Sequence, residues 1–355
     1  MSVDVKPGRR TLGRVQVPSV TLAHGGGGKA MRDLVDDVFL RAFGTGQNGT
    51  LEDQARIPMT ALAQYGDRLA FTTDSYVVDP LVFPGGDIGK LAVCGTINDL
   101  AVGGAIPLAL SCAVIIEEGT PVDLLRRIAD SMADAARDAG VAIATGDTKV
   151  VHRGACDKLF VTTTGIGVIG EGVTVGVDRA RPGDAVLVNG MLGDHGATIL
   201  VARGDLALEA SIASDCAALH DLIQTLLAAA PGTRFIRDAT RGGLASVLNE
   251  LAAASAVSIR IEEAQTPIRE DVKAVCELLG LDPLYLANEG KVVIVVPPDE
   301  EDAALAALRA HPLGANAASI GKIGDGEAGR VTMRTRFGGE RIVDMLVGDQ
   351  LPRIC

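Results

Sequence analysis

The sequence predicts an α+β protein built from two α/β domains, and three observations carry that expectation. Its 355 residues suit two domains of roughly 150 residues each. Strand-length apolar runs and amphipathic helical stretches follow one another along the chain. Near the middle, Arg181–Pro182–Gly183–Asp184 makes a turn that separates one such set from the next.

Residues 1–21, with Lys6, Pro7, Gly8, Arg9 and Arg10 and no periodicity, read as a loose lead-in. The first domain is expected over 22–180. A helix follows His24–Lys29, with Met31, Leu34, Val35, Val38 and Phe39 at helical spacing. A strand over Leu69–Val78 is interrupted by Asp74. Asp87 reads as the N-cap of a helix Ile88–Val102, whose exit is marked by Gly103 and Gly104. Strands at Leu108–Ile116, Val141–Thr145 and Leu159–Ile169 enclose an amphipathic helix Asp123–Ala139.

The second domain is expected over 181–344. It opens with a strand Ala185–Val188 and continues through helices near Ala197–Ala202, Cys216–Ala229, Leu244–Ala254, Arg269–Leu279 and Asp302–Ala310. Strands Ser258–Ile261 and Lys291–Val296 and a hairpin near Arg330–Val343 complete it. Residues 345–355 read as a mobile tail ending in Cys355.

Hydrophobic residues at 47% allow a large core, while 3% aromatics and no Trp mean that Ala, Val, Leu and Ile must fill it. A net charge of −12 disfavours a nucleic-acid partner. Acidity is compatible with ATP when magnesium sits between carboxylates and phosphates. The N-terminus has no long apolar segment, so no leader or membrane anchor is expected, and a cytoplasmic location follows. The cysteines lack CxxC spacing, which disfavours zinc and thiol–disulfide chemistry. Cys94, Cys112, Cys156, Cys216 and Cys276 read as reduced core residues.

Gly25–Gly28 with Lys29 invites a P-loop reading, which fails because Ala30 stands where Ser or Thr is required. Two GxGxxG strings, Gly44–Gly46–Gly49 and Gly165–Gly167–Gly170, lack the strand–turn–helix context of a dinucleotide site. The carboxylates are more informative. Asp74 breaks a strand, Asp99 follows Asn98 in an apolar helix, and Asp147 follows Gly146 at a strand end. A lone aspartate of this kind caps a helix or pairs with Arg. Several beside glycine turns point to a shared magnesium–phosphate site. Arg237–Asp238–Ala239–Thr240–Arg241–Gly242–Gly243 precedes a helix whose amides can take an anion, with capping as the plainer alternative. Among the histidines only His195, in Gly193–Asp194–His195–Gly196, stands out. Cys355 is an exposed thiol beside Arg353, and an incidental role for it stays open on chemistry alone.

Taken together, the strings His24–Met31, Phe71–Val78, Pro84–Lys90, Gly146–Lys149, Gly193–Gly196, Arg237–Gly243, Asn288–Lys291 and Pro352–Cys355 resemble the hydrogenase expression/formation HypE family from about residue 22 onward. The resemblance implies the aminoimidazole ribonucleotide synthetase-like fold, with a homodimer formed through the first domain's sheet. It implies that a HypF carbamoyltransferase loads Cys355 and that this chain, using ATP and Mg2+, dehydrates the S-carboxamide to a thiocyanate. The cyanide then passes to iron on a HypC–HypD complex, toward NiFe hydrogenase. On that footing Asp74, Asp99 and Asp147 hold the metal, and Asp87, Asn98 and Asp238 join them around the nucleotide. Lys149 stabilises the transferring phosphate, Glu289 is the base, and Cys355 carries the substrate group. Two other classes remain: a different ATP enzyme of the superfamily (a thiamine phosphate kinase or selenophosphate synthetase), and a docking protein that only carries a modified tail.

Overall fold

A computed structural model describes residues 12–44, 52–204, 211–346, 348 and 353–355. Lys6 to Arg10 of the lead-in, Gly46 and Gly49 of the first glycine string, and Pro352 lie outside the described residues. The lead-in is not loose throughout. Val15 and Val20 are buried, the Val15 amide donates to Asp37, and Val20 bonds to the Thr120 carbonyl.

After α1 (Lys29–Leu34), one π-helical turn over Val35–Leu40, α2 (Arg41–Phe43) and α3 (Met59–Ala63), the first domain builds its sheet. The elements run β1 (Arg68–Tyr76), a small hairpin β2 (Val82–Phe83) and β3 (Gly86–Asp87), and α4 (Ile88–Val102). Then come β4 (Ala105–Glu117), α5 (Val122–Asp138), β5 (Ala142–Val151) and β6 (Leu159–Ile169). The sheet order is β1–β6–β4–β5. Helices α4 and α5 cover one face. The other face is open, with Leu69, Phe71 and Ile115 exposed on it.

Helix α4 is buried nearly all round, as its lack of a polar stripe requires. It packs on β1, β6 and α5 of its own domain and on α7 (His220–Ala229) and β8 (Phe235–Asp238) of the second. It is therefore the shared wall between the two domains.

The second domain contains β7 (Ala185–Val188), α6 (Asp194–Ala202), α7, β8, α8 (Gly243–Ala254), β9 (Ser258–Glu262) and α9 (Glu270–Leu279). It closes with β10 (Val292–Val296), α10 (Glu301–Ala310), β11 (Ala318–Gly324), β12 (Val331–Arg334) and β13 (Glu340–Ile342). Its strand order is β13–β12–β9–β11–β7–β10–β8. Every residue of β10 is buried, because helices cover both faces of the sheet at this strand. Val293 and Val295 meet the layer of α8, while Val292, Ile294 and Val296 meet α7 and α10.

In the second domain two strands were not foreseen, and in the first the short hairpin β2–β3 was not. β8 ends in the Arg237–Asp238 string read as a pre-helix loop, and β11 holds only Ile320 and Ile323 among small and polar residues. β5 runs past Asp147, so Asp147 lies inside a strand and not at its end. Helix α7 starts at His220 rather than Cys216, since Ser214 Oγ and Asn98 Oδ1 take the amides of Cys216 and Leu219. Cys156 is half-buried in a turn, unlike the other four cysteines assigned to the core. No helix among the described residues is long and apolar enough to cross a membrane.

Candidate active site

A cavity of about 380 Å³ opens where β1, α4, β8, the start of α8 and the Asn288–Lys291 turn converge. Asp74, Asp99, Asp238, Glu289 and Cys355 all line it, with Arg237 and Arg241 on its wall.

Strand periodicity aims Asp74. It pairs with Thr163 across the sheet, and the Thr163 hydroxyl reaches Ala92 of α4, so both face the helix. Asp99, on the last turn of α4, accepts from Thr72 Oγ1 at 3.1 Å. Burial raises its carboxyl above the usual range, and Asp74 adds to the effect. Asp238 at the end of β8 is pushed up to about 7 by burial and by the charges of Asp99 and Asp74. Three carboxylates thus repel one another in a poorly solvated space, with Arg237 and Arg241 as the nearby positive charges.

Glu289 is held from its backbone. Its amide and that of Gly290 donate to the two oxygens of Asp215, at 3.0 and 3.1 Å, and Lys291 Nζ reaches Asp215 at 3.0 Å. Burial alone would raise Asp215, but Lys291 and the Glu289 amide bring it below the usual range. A side chain at Gly290 would place its Cβ 2.0 Å from the Asp215 carbonyl oxygen, so only glycine fits. The Glu289 side chain is 3% exposed, and its Oε1 has no hydrogen-bond partner. Burial drives its pKa well up, with Asp215, Asp238 and Asp74 contributing.

Cys355 stands against Glu289. Of the tail expected to be mobile, Arg353–Cys355 are seated in the protein, with Ile354 buried in the first domain's core. Burial raises the Cys355 thiol well above its ordinary value, and the Glu289 charge raises it further.

Four residues assigned to the nucleotide, metal or phosphate do not line this cavity, though Asp87 keeps the capping role expected of it. Asp87 caps α4, accepting from the amides of Gly89 and Lys90 at 2.8 and 3.0 Å, and does not line the cavity. Asn98 is a clasp between domains: its Nδ2 donates to the carbonyls of Ala217 and Glu289, and its Oδ1 accepts from Leu219. Asp147 and Lys149 lie on the open face of the sheet, on edge strand β5 beside Ala113 and Ile115, and pair with each other at 2.6 Å. Both are about 60% exposed, and neither lines the cavity. A single chain therefore does not gather Asp74, Asp99 and Asp147 around one ion, because they occupy opposite faces and opposite edges of the sheet. Among the described residues no three His, Cys, Asp or Glu side chains form a metal cage unaided.

Asp215 was missed by sequence reasoning. An Asp ahead of an expected helix reads as a cap, and nothing local shows that it organises the Glu289 turn 74 residues away. Arg241, on the cavity wall, carries no signal in the sequence beyond its place in the Arg237–Gly243 string.

Models of the AIR synthase related N-terminal and C-terminal domains match residues 52–169 and 181–334. The chain is 64% identical over 336 residues to the carbamoyl dehydratase HypE of Rhodobacter capsulatus, covering 95% of this chain and 98% of that one. It is similar to a crystal structure of the hydrogenase maturation protein HypE in complex with ATP, with a TM-score of 0.89, 49% identity, and 94% and 99% of the chains covered. It is similar also to HypE in a crystal structure of a HypE–HypF complex, with a TM-score of 0.76, 49% identity and 78% and 90% covered.

Proposed function

We propose a function from one premise: the chain belongs to the HypE family of carbamoyl dehydratases, built on the two AIR synthase related domains. It is accordingly a carbamoyl dehydratase of hydrogenase maturation. In our reading it dehydrates an S-carboxamide on Cys355 to a thiocyanate, consuming ATP, and so supplies cyanide for the iron of NiFe hydrogenase. The observation that carries this reading is the Cys355 thiol seated beside Glu289 in an acid-rimmed cavity.

An amide oxygen is a poor leaving group, so the carboxamide oxygen takes the γ-phosphoryl group and ADP departs. Loss of two N–H protons and of phosphate then leaves S–C≡N. Glu289 suits the base role: its raised pKa makes it a strong acceptor once ionised, and its partnerless Oε1 is free to receive a proton. Arg237 and Arg241 can face the phosphates.

Magnesium fits the donor set, since mutually repelling carboxylates, only partly offset by Arg237 and Arg241, offer the oxygen atoms it prefers. Asp74, Asp99 and Asp238 would hold it together with phosphate oxygens, and it would neutralise phosphate charge. Asp147 and Lys149 keep their assigned roles as contributions from a second copy. Exposed Leu69, Phe71 (70%) and Ile115 (41%) on the open face favour a homodimer there. We assign HypF as the carbamoyl donor's enzyme and a HypC–HypD complex as the cyanide acceptor, within the cytoplasm.

Intact-mass measurement tests the reading. Incubation with HypF, carbamoyl phosphate and ATP should add one carbamoyl group and then remove one water. A carbamoylated protein that never loses water with ATP present would overturn it.

A further inference from the structure

The end of the tail enters the protein through polar contacts made mainly to its backbone. The Arg353 carbonyl accepts from the Asp79 amide at 3.2 Å and from Arg203 Nη2 at 2.8 Å. The Ile354 carbonyl accepts from His195 Nε2 at 2.8 Å. Arg353 itself takes a left-handed φ of 55°, unfavourable for a residue with a Cβ, so these donors hold a conformation that a free chain would leave.

His195 is 0% exposed, and both of its ring nitrogens are engaged. A carbonyl can only accept, so Nε2 carries the proton and Nδ1 is bare. Nδ1 then accepts from Ser214 Oγ at 2.8 Å, and Ser214 Oγ accepts in turn from the Cys216 amide at 3.2 Å. Phe83 stands edge-on to the ring at 5.5 Å, fixing its plane. Burial pushes the imidazole below its ordinary pKa, which favours the neutral form that this chain of bonds requires.

We propose that His195, seconded by Arg203, is a positioning residue that sets the register of the tail and thereby brings the sulfur of Cys355 to Glu289. When the tail leaves, a buried N–H loses its acceptor, and that loss favours return to the same seat. Because recognition is through carbonyls, it tolerates the change from thiol to carboxamide at the neighbouring residue. The inference rests on Cys355 as the substrate carrier, but its test needs no turnover.

The alkylation rate of Cys355 by iodoacetamide, read by mass spectrometry on the C-terminal peptide after cleavage at acidic residues, reports how often the tail is out. His195→Phe keeps the ring's bulk and loses the donor; it should alkylate about tenfold faster than the unaltered protein. His195→Gln, which restores an N–H, should stay within about threefold, and ATP affinity should hold within about twofold in both. Equal alkylation rates in all three proteins would overturn the latch. Should His195→Phe lose its cooperative melt, Arg203→Met takes its place with the same expectation and the same overturning result. A protein that protects Cys355 yet never dehydrates it keeps the latch and loses the functional reading. Normal dehydration with equal alkylation rates does the reverse.

Discussion

The sulfur of Cys355 and the carboxyl of Glu289 line one cavity that solvates neither well, and the Glu289 charge raises the thiol's pKa while the thiol eases the carboxylate's. Docked, the cysteine is a thiol and a poor nucleophile. On the proposed function it leaves this seat to be loaded and returns to it as a neutral group.

Replacing Glu289 removes the charge that holds the proton on sulfur. Glu289→Gln should let Cys355 alkylate at lower pH, because one contributor to its raised pKa is gone. The same variant should accept a carbamoyl group and convert it at least about a hundredfold more slowly. An unchanged pH profile of alkylation would separate the two residues.

Acid cost in the cavity sets a pH dependence. The pKa of Asp238 is raised to about 7 in the fold, so its contribution to stability is full below the ordinary aspartate range and fades as pH rises through 7. Nucleotide-free protein should melt higher at pH 5.5 than at pH 8, this group alone making the fold about 2 kcal/mol more stable at the lower pH. Asp238→Asn should flatten the difference and weaken magnesium–ATP binding. Calorimetric melting with and without nucleotide checks both.

Asn98 acts through position. Its amide satisfies backbone groups of Ala217, Leu219 and Glu289 in the wall between domains. Asn98→Ala should destabilise the protein by about 2–4 kcal/mol and reduce turnover with little change in ATP affinity. Chemical denaturation and single-turnover assays measure the two effects.

Assembly can be tested by complementation. If Lys149 serves the site of a second copy, Lys149→Ala and Glu289→Gln chains are each inactive alone but regain about a quarter of full activity after mixing and exchange. Absence of any recovery, with exchange shown by mass, would place both residues in one chain's site.

Much of this was legible in the sequence because period and capping are local. The bounds of α4 and its Asp87 cap follow from Asp87, the apolar run and the two glycines that end it. Asp74, Asp99 and Asp238 could be seen as misplaced charges, and they do converge. What could not be read was direction across the sheet. Asp74 and Asp147 look alike as strand carboxylates, yet partner registers send one toward α4 and the other to the open face. Asp215 and His195 act on residues 74 and 159 positions away, distances over which no pattern carries information. Strand β11 escaped because its glycines replace the expected alternation; at Gly321 a Cβ would meet the Arg260 carbonyl oxygen at 2.1 Å.

Strand β1 carries two separate messages in alternate letters. Thr72, Asp74 and Tyr76 address the cavity side, and Leu69, Phe71, Thr73 and Ser75 address the opposite surface. Its tolerance to mutation should therefore oscillate with period two, one phase scoring in chemistry and the other in self-association. Inserting a single residue would transpose the two phases over the rest of the strand. Such an insertion would exchange the audiences of both messages at once, so this strand should accept substitutions far more readily than changes in length.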